Sequence, residues 1–245
     1  MTTGWAEARQ VARDAAEPLE TITVTLGEAL GLVLSEHLPA LVPLPLCDTS
    51  AMDGYAVRGP APWTVVGRRL AGPCSPDAAL ETGQAFEIAT GAPVPVGTEA
   101  VLPVELSTVD EGTVTGVLPA KDHIRRRGED IPRGRRVLHR GTVATPAALG
   151  LAASVGYDSL HVHRRPRVRV VVSGDELLTA GLPTLGQVRD AISPLLPGLI
   201  TTAGGELVDT QFVADRAGAL SEALACDDVD VVAVCGSTSV GPADH

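Results

Sequence analysis

The chain has 245 residues, 44% of them apolar and only 2% aromatic, with a formal net charge of −11. That length leaves room for two or three small domains with aliphatic cores, while the scarcity of Phe, Tyr and Trp and the negative charge argue against a nucleic-acid binder. No secretory leader opens the chain and no apolar run is long enough to span a bilayer, so a cytoplasmic protein with no membrane partner is expected.

In chain order, a first helix is expected with Thr3 as its cap, Trp5, Ala8, Val11, Ala12 and Ala15 near helical spacing, and Pro18 closing it. "ETITVTL" alternates like a strand, "GEALGLVL" reads as a short helical or mixed piece, and "SEHLPALVPLPL" as extended chain. From about 45 to 120, short β-like runs alternate with Gly, Pro and Ser turns, the pattern of a small all-β module. A charged loop, "KDHIRRRGEDIPRGRRVLHR", follows. "TPAALGLAASVG" then has helix grammar, with Thr145 as cap, Pro146 in the first turn and Gly156 at the stop. From 167 the chain reads as strand ("RVRVVVS"), helix ("SPLLPGLITTAGG", weakened by Pro197), strand ("ELVDTQFV"), helix ("DRAGALSEALA") and strand ("VDVVAVCGS"), the order of a parallel α/β sheet. Ligands of such sheets bind beyond the carboxyl ends of the strands.

Charge is uneven. Residues 121–169 hold 12 of the 19 Lys and Arg against four acids. This block either binds an anion or an acidic surface, or is a solvated Arg-rich face. Cys47, Cys74, Cys226 and Cys235 form no CxxC pair and read as reduced thiols. His161 and His163 share a strand face without a ligand cluster beside them and read as strand surface residues.

Several segments carry possible chemistry. In "LCDTSAMDGYAVRG", Asp53 precedes Gly54 just after a proline-spaced run; Asp-Gly is turn chemistry, and the carboxylate is either part of a hairpin or held out over a site. Thr90-Gly91 can bond a ligand or simply turn the chain. "IRRRGEDIPRG" is either an internally paired loop or a substrate clamp. In "SGDEL", adjacent Asp175 and Glu176 can hold a hard divalent cation, usually Mg2+, or open a helix whose dipole favours acids. "VCGSTSVGPAD" offers Gly236, Ser237, Ser239 and Gly241, whose N–H and hydroxyl groups can cradle an oxyanion; it lacks the P-loop Gly-Lys-Ser/Thr.

Taken together and in order, "CDTSAMDGYAV", "IATGAPVPVGTEAV", "IRRRGEDI", "RPRVRVVVSGDEL", "GQVRDAI" and "DVVAVCGSTSVGPAD" closely resemble the MoeA family of molybdopterin molybdenumtransferases, which includes the gephyrin E domain. The resemblance covers essentially the whole chain. It implies an α/β and β multidomain protein, a β-rich lid domain plus a parallel α/β molybdopterin-binding domain. The divisions expected are an N-terminal helix and linker segment at 1–44, the lid at 45–135, a return segment at 136–166, and the α/β domain, incomplete, at 167–245, with the family's C-terminal β-barrel absent. The abrupt end at His245 suggests truncation of a longer protein, or a partner covering the last strand.

The resemblance further implies a homodimer that inserts molybdate into adenylylated molybdopterin in a Mg2+-dependent step and releases AMP. A molybdopterin adenylyltransferase would donate the substrate. Asp53, Thr90, Asp130, Glu176, Asp215 and Asp244 then match catalytic positions. Ser173, Gly174, Asp190, Gly236, Ser237, Ser239 and Gly241 match substrate-binding positions, and Asp175 and Glu176 a metal position. The chain departs from the family at Ser237, usually glycine, and at Ile192, usually asparagine. The alternative function is a non-catalytic molybdopterin-binding or dimerising remnant of such an enzyme.

Overall fold

A computed structural model describes residues 4–73, 79–216 and 218–236. They form two compact units. One comprises Met1–Glu36, Arg140–Pro146 and Ser159–His245; the other comprises His37–His139 and Ala147–Asp158. The chain therefore leaves the first unit, builds most of the second and returns, instead of completing one domain before the next.

The second unit is built on a six-stranded sheet. Its order is Ala100–Pro103, Gly54–Val57, Gln84–Ile88, Trp63–Arg69, Thr113–Gly116 and Ser107–Asp110. All neighbours run antiparallel except Trp63–Arg69 and Gln84–Ile88, which are parallel with a register shift between Val65 and Gly67. Alternate residues feed two apolar clusters, as the two-residue pleat requires. Ala56, Ile88 and Val101 join Leu80, Ala92 and Ile124 in one. Val57, Ala85 and Leu102 join Trp63 and Val114 in the other. A strand buried on both faces has no polar positions, which is why "AVLP" at Ala100–Pro103 is buried throughout. Trp63, the largest core side chain, satisfies its indole N–H by donating to the Gly59 carbonyl at 2.9 Å. Two short ladders, Thr49–Ser50 with Ile124–Arg125 and Leu38–Pro39 with Arg136–Leu138, tie down the ends of this unit's chain.

In the first unit, the antiparallel strands Thr21–Thr25 and Val33–Leu34 flank Ser159–His163. The piece "GEALGLVL" is not helical: it turns, with Gly31 at φ 76°, a left-handed conformation open to glycine, and ends in the strand Val33–Leu34. The first helix spans Trp5–Asp14 with Gly4 at its cap position; the expected cap, Thr3, lies outside the described residues. Its apolar spacing does not make it a core helix, since none of its residues is buried.

The α/β portion is a three-stranded parallel sheet with Arg167–Ser173 between Glu206–Val213 and Val231–Cys235. The central strand is buried from Val168 onward. The buried Arg169 on it donates to Asp209 at 2.7 Å and forks onto Asp228 at 2.9 and 3.0 Å, so its charge is matched on both sides. The helix expected after Ser193 forms at Leu196–Thr202, and Pro197 does not prevent it. That proline sits in the first turn, where no backbone N–H is needed. Cys47, Cys226 and Cys235 form no disulfide among the described residues, and Cys74 lies outside them. No helix among the described residues is long and apolar enough to cross a membrane.

Candidate functional site

Two groups of polar residues stand out, one in each unit. In the second unit, "TSAMDG" leaves the strand Thr49–Ser50 and enters Gly54–Val57. The buried Ser50 hydroxyl donates to the Met52 carbonyl at 2.5 Å, closing the turn locally. Gly54 is obligatory for packing: a Cβ there would lie 2.0 Å from the Leu102 carbonyl oxygen on the neighbouring strand. This fixes where Asp53 emerges. The Asp53 Oδ1 accepts the Thr90 backbone N–H at 2.7 Å and its hydroxyl at 3.1 Å. Asp53 and Thr90, far apart in sequence, thus form one exposed unit, with Oδ2 left unpaired among the described residues. A cleft of about 180 Å3 opens beside Asp53, lined by Tyr55, Arg68, Glu87 and Val104. Arg68 and Glu87 pair across it at 3.3 Å. The sequence reading missed this pair, because the register shift that sets Arg68 opposite Glu87 leaves no sequence signal.

In the loop carrying Asp130, the Arg126 N–H donates to Glu129 Oε2 at 2.7 Å, whereas the Arg126 side chain goes to carboxylates outside the segment 124–134, Asp48 at 3.0 Å and also Asp122. Burial works against ionisation of Asp122, but the Ile124 N–H and the Arg126 guanidinium outweigh it and hold the carboxyl below its ordinary range. Asp130 itself is exposed, its backbone N–H bonded to the Leu44 carbonyl at 3.1 Å. Farther along the basic block, Arg164 forks onto Asp230 at 2.6 and 2.8 Å. Arg169 is paired as well, so Arg126, Arg164 and Arg169 of this block are held in ion pairs within the fold.

In the first unit, the second group gathers at the carboxyl ends of the three parallel strands. Ser173 ends the central strand, and its hydroxyl donates to Asp215 Oδ1 at 2.6 Å. Asp215 lies just past the neighbouring strand. Asp175 and Asp215 bind each other reciprocally: the Asp175 N–H donates to Asp215 Oδ2 at 3.2 Å and the Asp215 N–H to Asp175 Oδ1 at 3.3 Å. "SGDEL" is therefore no helix start. It turns at Gly174 into the short strand Leu177–Leu178, which pairs in parallel with Val188–Arg189. The Glu176 carboxylate folds back over Gly174, within 2.9 Å of where a Cβ would stand.

A cleft of about 360 Å3 opens at the same edge, lined by Ser173, Glu176, Asp190, Ile192, Cys235 and Gly236. Asp190 is only 7% exposed, and its Oδ1 accepts the N–H groups of Ile192 and Ser193 at 3.0 and 3.1 Å. Hydrogen bonds from Ser193 and Ile192 outweigh the cost of burial and hold its carboxyl below the ordinary range. Cys235, a lining residue that sequence reading did not single out, has its thiol pushed up by burial and by the Asp190 charge. Gly236, at φ 100°, closes the floor so tightly that a Cβ would meet the Ser173 carbonyl oxygen at 2.3 Å. Ser237, Ser239, Gly241 and Asp244 lie outside the described residues.

The carboxylate oxygens of Asp175 and Asp215 form a hard donor pair. Mg2+ usually takes one or two protein carboxylates and completes its shell with water and substrate phosphate, so this pair suits it. Among the described residues, no group of three or more His, Cys, Asp and Glu side chains is arranged to hold a metal without such help.

Residues 3–156 match the family model for the MoeA N-terminal region (domain I and II), and residues 169–245 match that for a probable molybdopterin binding domain. Molybdopterin molybdenumtransferase 2 of Mycobacterium tuberculosis is 38% identical over 250 residues, covering 96% of this chain and 62% of the relative. The molybdopterin molybdenumtransferase of Synechococcus elongatus is 34% identical over 244 residues, covering 93% and 60%. The crystal structure of the molybdopterin biosynthesis MoeA protein from Pyrococcus horikoshii OT3 superimposes with a TM-score of 0.85 at 26% identity, over 96% of this chain and 67% of that one. The chain thus spans about three fifths of the length of the curated relatives it matches.

Proposed function

The chain belongs to the MoeA family, and from that premise we propose that it acts in molybdenum cofactor biosynthesis, inserting molybdate into adenylylated molybdopterin with release of AMP. The observation that carries this reading is the carboxylate group at the ends of the parallel strands, where Ser173, Asp175 and Asp215 are bonded together beside a cleft of about 360 Å3. Such an edge is where open α/β sheets take their ligands.

In this reading the cleft holds the pterin, with Asp190 and the backbone at Gly174 and Gly236 fixing its orientation. The Ser173 hydroxyl, itself lining the cleft, fixes the Asp215 carboxylate at the strand end. Asp175 and Asp215 would hold Mg2+, which offsets the charge of the phosphoanhydride as AMP departs. Asp53 offers its unbonded oxygen from the second unit, held in one rotamer by Thr90. Two copies work together, the Asp53 loop of one serving the α/β cleft of the other, and a molybdopterin adenylyltransferase supplies the substrate. Charge aligned in advance and shielded from water is the main source of acceleration in most phosphoryl chemistry.

The test is a reconstitution with this chain, adenylylated molybdopterin, Mg2+ and molybdate, following AMP release and cofactor formation. Both products support the proposal. Tight substrate binding without either product favours a molybdopterin-binding role instead, and no binding refutes both.

A further inference from the structure

The six histidines are scattered through the sequence without a ligand motif. The fold brings two of them together. His37 and His139 face each other edge to face, ring centroids 5.5 Å apart and planes at 86°. They are also the first and last residues of the longer of the second unit's two segments. The strands behind them pair antiparallel with Leu38 opposite Leu138, so His37 and His139 stand one residue beyond the end of that ladder. Leu38 is 1% exposed, and the pleat turns the neighbouring position to the other face; both histidines are exposed.

With their ring centroids 5.5 Å apart, two imidazoles can converge on one ion at about 2.0–2.1 Å from each nitrogen. Each ring has two nitrogens, so a chelate using one apiece leaves the other for existing bonds. We propose that His37 and His139 form a two-ligand site for a borderline divalent cation of the zinc, nickel and copper class, with water completing the shell. Imidazole suits these ions, whereas Mg2+ takes oxygen ligands. The site is therefore chemically distinct from the Asp175–Asp215 pair and does not depend on the proposed reaction. Its consequence is mechanical: the ion clips together the two ends of the segment His37–His139. An ion that binds only the folded form stabilises it by mass action.

The experiment is calorimetric titration of the full chain with Zn2+ at neutral pH, with thermal unfolding in and out of Zn2+. One equivalent is expected to bind and to raise the melting temperature. His37→Ala and His139→Ala are each expected to weaken binding at least tenfold and abolish the Zn2+-dependent rise, because the second ligand no longer binds intramolecularly. His161→Ala is expected to change neither. Cu2+ bound to the parent should show two-nitrogen hyperfine coupling. If His139→Ala disturbs the metal-free fold, His139→Asn is judged on the same loss. Parent-like Zn2+ affinity in the His37 and His139 variants, or no binding to the parent at millimolar Zn2+, overturns the site.

Discussion

Substituting Gly236 tests the construction of the cleft floor most directly. In Gly236→Ala the new Cβ would start 2.3 Å from the Ser173 carbonyl oxygen, and the backbone is at φ 100°, where L side chains are strained. Gly204 separates these two costs. It sits at φ 89° in the same unit, with nothing within 4 Å of where a Cβ would stand, so Gly204→Ala carries the dihedral cost alone. That cost is about 1–2 kcal/mol. The overlap at Gly236 forces backbone apart in a packed edge, adding about 1–3 kcal/mol. At about 2–4 °C per kcal/mol for a chain of this size, Gly236→Ala should melt roughly 2–12 °C below Gly204→Ala. The displaced carbonyl belongs to Ser173, so the Ser173–Asp215 bond moves with it and ligand binding in the cleft should weaken as well. Differential scanning calorimetry of the two variants side by side decides the matter. Equal melting temperatures would refute the view that backbone approach, and not dihedral freedom alone, makes glycine necessary at this strand exit.

Asp53→Ala should leave the melting temperature within about 1 °C of the parent, because the side chain is exposed, while abolishing cofactor formation in the reconstitution; unchanged turnover would leave Asp53 as a turn residue only. Ser173→Ala should reduce turnover more than substrate binding, since it removes the group orienting Asp215; a pure loss of affinity would contradict that role. Asp230, held low by the Arg164 fork and the Arg167 N–H, and Asp209, held low by Arg169, should make the fold acid-sensitive. Their folded values lie below the unfolded value of about 3.9, so the unfolded chain takes up more protons there. Stability is then full above about pH 5 and falls as pH drops further. Urea titrations should show a shallower acid decline for Asp230→Asn than for the parent, and identical slopes would count against this source of acid sensitivity.

Much of the site was legible in the sequence because its residues sit at strand exits, and strand exits are marked by valine-rich runs ending in glycine. "VVVSGDE" and "VVAVCG" announce the ends of two parallel strands by composition alone. Asp53 was legible for a similar reason, as an Asp-Gly turn after a proline-spaced run. What remained open was which partner each group would find. Adjacent Asp175 and Glu176 suggested a local carboxylate pair, whereas the bonded partner of Asp175 is Asp215, at the exit of the neighbouring strand. The Arg-rich block left open whether it binds an anion or an acidic surface or forms a solvated face, and Arg126, Arg164 and Arg169 each go to a carboxylate of the fold.

Local rules therefore determined most element types, the alternation of strand and helix in the α/β portion and the turns that present Asp53 and Ser173, because dihedral preference and hydrophobic period act over a few residues. Only the tertiary structure decided the Asp53–Thr90 bond, the Ser173–Asp215 bond and the meeting of His37 with His139. Each of these joins residues brought together by register between strands distant in the chain. Register is fixed by burying one face of each strand against the others, and that choice is made by the packed core as a whole.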